Sequence, residues 1–275
     1  MIDLSIIIVN FNGAGLLENC LSSIYKNTRK ISFEIIFIDN NSSDHSVEIA
    51  EKRFSGIKII RNKENRGFSR ANNQGLEICQ GRYALLLNTD TVVKEGAFDL
   101  MVEFMDANPK VGACGPRVLN ADGTPQRQGG FFSRKFWLSK IPVRVDFVIG
   151  ACLMVRREAI EKVGNLDENL FFSNDDLDWC LRIRKAGWQL YFLPQAEVIH
   201  HGGFTTRRFN RQLFVEGFRG GLYFSRKHYG NLIYQIYRAL LVITLPFLII
   251  ISFLFDRKKT GAYLDILLLC FKGKT

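Results

Sequence analysis

Three carboxylates crowd into four residues at Asp175, Asp176 and Asp178, between Asn174 and Trp179. Acids this close oppose one another's ionisation unless a cation or a shared proton is near. At a helix start they also gain from the dipole and from capping, so a structural use stands beside a catalytic one. Capping needs one or two acids rather than three, and Leu170-Phe171-Phe172 just before the cluster would shelter it from water. Asp90 lies two residues after Asn88, where an apolar run ends, and a carboxylate there suits Mg²⁺ or Mn²⁺ carried in on a diphosphate. A strand-end turn or a cap for the next helix is the structural alternative. His200-His201 precede Gly202-Gly203, as expected of a metal ligand on a loop. Arg207, Arg208 and Arg211 follow and could close over a phosphate, or face lipid headgroups or water.

Such residues need a frame. Leu4–Asn10, Phe33–Asp39, Ile57–Arg61 and Tyr83–Asn88 are near-continuous apolar runs followed by turn residues, which predicts parallel strands buried on both faces. Leu16–Lys26, His45–Phe54 and Phe68–Cys79 have helical spacing, and Ser42, Ser43 and Asp44 offer cap oxygens to the second helix. The order βαβαβαβ predicts an α/β, Rossmann-like, doubly wound sheet whose ligands sit beyond the strands' carboxyl ends. Asn10, Asp39 and Asn88 end three of those strands and should converge. Further on, Glu95–Asn108, Arg157–Val163 and Asp176–Ala186 read as helices, and Val111–Gly115, Val148–Val155 and Gln189–Leu193 as strands. Asn120–Gly123 reads as a hairpin turn, and residues 126–145 as a surface loop.

Charge separates the tail from the rest. Residues 1–202 carry 25 Lys/Arg and 24 Asp/Glu, whereas residues 203–275 carry 12 and 3. The even balance of the first part argues against a nucleic-acid face. The basic tail is also the most apolar segment, which suits an anionic membrane surface. Ala239–Phe255, with Pro246 inside, would make a helix of roughly 26 Å, just short of a hydrocarbon core. Ala262–Phe271 is too short to span. Six cysteines without a C-x-x-C pair predict free core thiols in a reducing compartment, and no N-terminal secretion signal is legible.

A dinucleotide site is the alternative that the turn after the first strand suggests. Gly13-x-Gly15-x-x-Glu18 follows the first strand, but the third glycine of that fingerprint is missing.

The stretches IIIVNFNG, FIDNNSSD, NRGFSRANNQG, LLLNTDTVV, DFVIGACLMVRR, the run from Gly164 to NDDLDWCLR, and VIHHGG together resemble glycosyltransferase family 2, in particular its rhamnosyltransferase-like members. The resemblance runs from Leu4 to about Phe204. It implies a GT-A fold, with residues 1–120 as the nucleotide-sugar half, 121–230 as the acceptor half with the base, and 231–275 as a membrane-associated tail. It implies a UDP- or dTDP-sugar held by Val9, Asn10, Phe11, Asp39, Asn41, Asn65, Gly67, Asn72 and Asn88. Asp90 and His200 inherit a divalent metal, Asp175 and Asp176 the catalytic pair with Asp176 as base, and Asp178 and Trp179 the acceptor. Asn88 replaces the first acid of a D-x-D motif, and Asp175 replaces a longer Glu.

The implied reaction is a single displacement, with Asp176 taking the acceptor's proton and the metal offsetting leaving-group charge. One base without a carboxylate nucleophile implies inversion. No Q-x-x-R-W motif of processive members follows the base, so one sugar per encounter is expected, at the cytoplasmic face of a membrane. The acceptor would be a glycan or lipid-linked glycan for cell-surface polysaccharide. A polyprenyl-phosphate glycosyltransferase is the neighbouring alternative, and a basic membrane-binding protein without chemistry is the non-enzymatic one.

Overall fold

The computed structural model describes residues 1–128, 135–202 and 210–272. The first apolar runs form strands β1 (Leu4–Asn10), β2 (Phe33–Asp39), β3 (Lys58–Arg61) and β4 (Tyr83–Asn88). Helices α1 (Ala14–Asn27), α2 (Ser46–Arg53) and α3 (Gly67–Ile78) connect them. All four strands pair in parallel, with Asn10 beside Asp39 and Val9 beside Asn88. Side chains alternate across a strand, so Ile6 and Ile8 pack with Leu17, Leu21 and Ile24 of α1, while Ile7 packs with Ala71 and Leu76 of α3. Both faces are therefore covered, which is why these strands read as unbroken apolar runs.

The second half adds β5 (Thr91–Val93), α4 (Ala97–Ala107), β6 (Val111–Leu119), β7 (Val143–Val145), β8 (Cys152–Arg156), α5 (Arg157–Val163), α6 (Asp175–Lys185) and β9 (Gln189–His200). The sheet order is β3-β2-β1-β4-β8-β6-β9-β5, with β7 also on β9. β8 runs antiparallel to β4 and β6, and β9 parallel to β6 but antiparallel to β5 and β7.

Three expectations need correction. The stretch expected as a surface loop contains a short 3-10 turn, Phe136–Leu138, and strand β7. Trp137 is buried there, and Phe136 meets Phe147 and Phe192 edge-on. Elements of three residues are too short to show a period. The last strand does not end at Leu193, because Pro194 falls in a bulge where the β6 register skips between Pro116 and Arg117. Helix α2 takes His45 as its N-cap residue, without a bond from that side chain, and of the three expected cap oxygens only Asp44 reaches the helix, accepting the N–H of its first residue Ser46 as well as that of Ala14. The Asn120–Gly123 turn closes as expected, through Asn120 N–H to Thr124 O at 2.8 Å. All six cysteines are free.

The chain divides into two compact units, Met1–Asp167 with Asp176–Thr205, and Glu168–Asp175 with Thr206–Thr275. The second holds α7 (Arg211–Phe255) and α8 (Arg257–Lys272), packed around Leu222, Tyr234, Leu241, Leu245, Ile266 and Leu269. Asn210 caps α7 by accepting the Leu213 N–H, and Arg211 forks onto Asp265 of α8 at 2.6 and 2.7 Å. The helix is interrupted at Gly230 (φ 80, ψ −179), a conformation open to glycine, and continues through Pro246. The unbroken stretch 231–255 is thus roughly 37 Å long, more than the 239–255 segment expected to form it. Its Ile236, Leu240, Ile243, Phe247, Ile250 and Leu254, spaced by three and four, are all exposed.

Candidate active site

The strand ends do converge. Asn10 is fully buried, with its Nδ2 at 2.9 Å from Ser42 Oγ, 2.7 Å from Ser46 Oγ and 3.4 Å from Asp39 Oδ1. Asp39, 5% exposed, also accepts the Ser42 N–H. Asn40 makes four bonds, donating to Asn65 Oδ1 and Gly67 O and accepting from Asn62 Nδ2 and the Arg66 N–H. Asn65 also accepts the Gly67 N–H, which starts α3. Asn72 is buried and back-bonds to Phe68 O. The expected donor contacts thus sort into two kinds. Phe11 and Asn41 are exposed at the rim, Val9 and Asn88 lie side by side on paired strands, and Asp39, Asn65 and Gly67 line the strand-end network. Asn10 and Asn72 are buried among these bonds, and among the described residues Asn10 Oδ1 is left without a partner.

At the end of β4 a second cluster forms. His200 Nε2 lies 3.2 Å from Asp90 Oδ1 and 3.4 Å from Asn88 Nδ2. β5 pairs with β9 so that Thr91 faces His200, which carries the adjacent Asp90 to the imidazole. On its other side, His200 Nδ1 lies 2.9 Å from Gln126 Oε1. An amide oxygen can only accept, so Nδ1–H donates to it, which fixes the ring with Nε2 facing Asp90 and Asn88. One carboxylate and one oriented imidazole match the donor set of a cation that takes its remaining ligands from substrate phosphates and water. Among the described residues no group of three or more His, Cys, Asp and Glu comes together, so a cation here would rely on the substrate. Gln126 escaped sequence reasoning, since it is 74 residues from His200 and in no motif. Arg207, Arg208 and Gly203 lie outside the described residues.

The acids fall at the first turn of α6. Asp176 Oδ2 accepts the Gly150 N–H at 2.9 Å, and its Oδ1 accepts the Leu177 N–H at 2.8 Å. Burial pushes its carboxyl above the ordinary carboxylate range, against the pull of those N–H bonds. The next residue after Gly150 accepts the Asn88 N–H through the Ala151 carbonyl, at 3.1 Å. One two-residue stretch therefore holds both the raised carboxyl and the end of β4. Gly150 lies in the DFVIGACLMVRR stretch, which gave a position but no role.

Asp178 and Trp179 are corrected as acceptor contacts. Asp178 is fully buried on Arg182 at 2.7 Å, and Arg182 also donates to the carbonyls of Val163 and Asn165. Trp179 is fully buried in the core, with its indole N–H on Gly164 O. Asp175 is buried too, 5% exposed.

The four non-glycine residues with positive φ among the described residues are Asn12, Asn41, Ser173 and Asn174. They sit in the loops after β1 and β2 and immediately before α6. Such conformations cost free energy and persist where the surroundings fix them, as at binding sites.

Known proteins resemble this chain in sequence and in fold. The family model described as glycosyl transferase family 2 matches residues 5–164. The chain is 27% identical over 240 residues to an N-acetylglucosaminyl-diphospho-decaprenol L-rhamnosyltransferase of Mycobacterium tuberculosis, covering 74% of this chain and 78% of that one. It is 26% identical over 274 residues to the low-salt glycan biosynthesis hexosyltransferase Agl10 of Haloferax volcanii, covering 93% and 86%. A mannosyltransferase from Pyrobaculum calidifontis, solved with GDP-Man and Mn²⁺, superposes with a TM-score of 0.62 at 15% identity, over 99% of this chain and 76% of that one.

Proposed function

The chain belongs to glycosyl transferase family 2 and is a glycosyltransferase of GT-A fold, and from that premise we propose that it transfers one sugar, with inversion, from a UDP- or dTDP-sugar to a lipid-linked glycan. The observation that carries this reading is the pairing of two chemistries on one stretch of chain. Gly150 holds a carboxylate whose pKa is raised, and Ala151 anchors the strand end that leads to Asp90 and His200.

Asp176 accepts the proton of the acceptor hydroxyl as that oxygen bonds to the anomeric carbon and the nucleoside diphosphate departs. A base with a raised pKa binds that proton more firmly at working pH. The Gly150 and Leu177 N–H groups fix the carboxylate's direction. Asp90 and His200 would hold a divalent cation, which when bound neutralises charge on the departing diphosphate. Asp39 and the asparagine network around Asn40 would receive the nucleotide base and ribose.

Rhamnose is the sugar favoured by the mycobacterial relative, whose named substrate is also a lipid diphosphate. The three functional parts expected from the sequence (1–120, 121–230 and 231–275) remain our assignment of donor, acceptor and membrane roles. The helical unit associates with the cytoplasmic face of an anionic membrane. Among the described residues one helix, α7, is long and apolar enough to cross one by length and composition. We favour an in-plane position, because α8 packs along α7 and brings Asp265, Arg211 and the Arg257–Lys259 run with it. Charges of this kind are costly in hydrocarbon but comfortable among headgroups.

A panel of nucleotide-sugars, scored by nucleoside diphosphate release with Mn²⁺ or with EDTA, tests the reading. Release that needs the cation and rises with a lipid-linked acceptor is expected. Equal release in EDTA would remove the metal, and no release with any donor would remove the activity.

A further inference from the structure

We propose that an aromatic cavity in the helical unit holds the apolar chain of the lipid-linked acceptor. The cavity is about 370 Å³ and is lined by Phe172, Leu213, Phe214, Phe218, Tyr237 and Gly217. Small-molecule sites of that size are mostly apolar with a few polar groups, as this one is. Phe214 and Phe218 stand 5.3 Å apart at a tilt, giving a wall of ring faces and edges suited to methyl-branched hydrocarbon.

Two further observations single out a substrate chain as the occupant. The first is the cavity's place in the chain, since Phe172 and the neighbouring Ser173 precede the Asp175-Asp176 pair directly. Ser173 and Asn174 both have positive φ, and Asn174 Nδ2 is tied to Gly217 O at 3.0 Å. Gly220 is packed so closely there that a Cβ would come within 2.9 Å of Asn174 Nδ2. The lining of the cavity and the strained turn that leads into α6 are thus one construction. The second is continuity with the apolar stripe of the same unit. Ile236 and Leu240, one residue before and three after Tyr237 on α7, belong to the exposed row that we assign to the membrane surface. A chain anchored in that surface can enter the cavity without crossing water. The inference rests on the lipid-linked reading of the acceptor.

Gly217 provides the test. A Cβ built there meets no heavy atom within 4 Å, so the backbone admits a side chain at this lining position, Gly217→Leu should occupy the cavity, and leucine is the better helix former. A fluorescent farnesyl monophosphate serves as probe for the full-length protein. We expect its affinity to fall at least tenfold in Gly217→Leu and little in Gly217→Ala, with UDP binding unchanged in both. Unchanged probe affinity in Gly217→Leu would overturn the proposal. Flotation with phosphatidylcholine–phosphatidylglycerol vesicles separates the sources of hydrocarbon. If Gly217→Leu lowers vesicle binding as much as probe binding, the cavity holds bilayer lipid and the substrate assignment is wrong. Unchanged flotation with lost probe binding supports it. Because the probe is read by direct binding, these results do not depend on turnover, and a failure of the transfer assay is distinguishable from them.

Discussion

At the residue scale, the chemistry depends on how a few polar side chains are held. Asp176→Asn keeps the shape and can still accept the Gly150 N–H, so donor binding should persist while turnover falls at least ~10²-fold, the usual loss with a general base. Steady-state kinetics with calorimetry on the same samples checks both halves. The raised pKa also sets a direction with pH. The base works only when ionised, so kcat/KM should fall as pH drops through a limb lying above the ordinary carboxylate range. Stability moves the other way: with the folded pKa above the unfolded one, stability declines as pH rises through that window. On the metal side, Asp90→Ala and His200→Ala should weaken Mn²⁺-dependent donor binding. Gln126→Ala should lower Mn²⁺ affinity about tenfold or more by releasing the imidazole's tautomer, as partners of metal-binding histidines commonly do. Equal Mn²⁺ affinity in Gln126→Ala, read by electron paramagnetic resonance, would leave Gln126 without that role.

At the element scale, the site is only as firm as the junctions between strands. Gly81 begins the approach to β4, donating its N–H to Ser5 Oγ at 2.8 Å. A Cβ there would come within 2.5 Å of the Ser5 nitrogen and 2.8 Å of the Tyr83 oxygen, both backbone atoms that cannot rotate away. Gly81→Ala should cost about 1–3 kcal/mol, the range for overpacking, and lower the urea midpoint without a change in slope. Wild-type stability would show that β1 and β4 can part at that end without loss. Arg82 next to it bridges Asp3 and Asp106, and holds the Asp3 carboxyl down at about 2. Its contribution is present above the unfolded pKa and lost only as pH falls toward 2.

At the scale of the whole molecule, charge and apolar surface are concentrated in one unit. We expect the protein to float with anionic vesicles and to be only partly released by salt. Screening removes the attraction of Lys and Arg for headgroups, but not the burial of the Ile236–Leu254 stripe. Full release at high salt would reduce the association to electrostatics alone. In an in-plane arrangement, a cysteine placed at Thr275 in a background without native cysteines stays protected from an impermeant thiol reagent until cells are lysed. Labelling in intact cells would mean that the tail crosses.

The sequence by itself determined the parallel half of the sheet, the strand ends that carry Asp39 and Asn88, the separate basic tail and the acids at the start of α6. Each is a local pattern: an unbroken apolar run, a turn residue, a helical period. Only the tertiary structure decided which of those polar residues are buried in the scaffold and which come together at the strand ends. Asp178 and Trp179 turn into the core because of where α6 lies against the sheet, while Asn10 Nδ2 is taken up by the loop after β2 and Asn72 Nδ2 by its own helix. Gln126 and Gly150 entered the site from far along the chain, through pairings that no spacing records. The tail shows the same division. Composition marked it as apolar and basic, but the break at Gly230 and the Arg211–Asp265 bridge depend on helices folding back on one another, and such contacts exist only once the chain has folded.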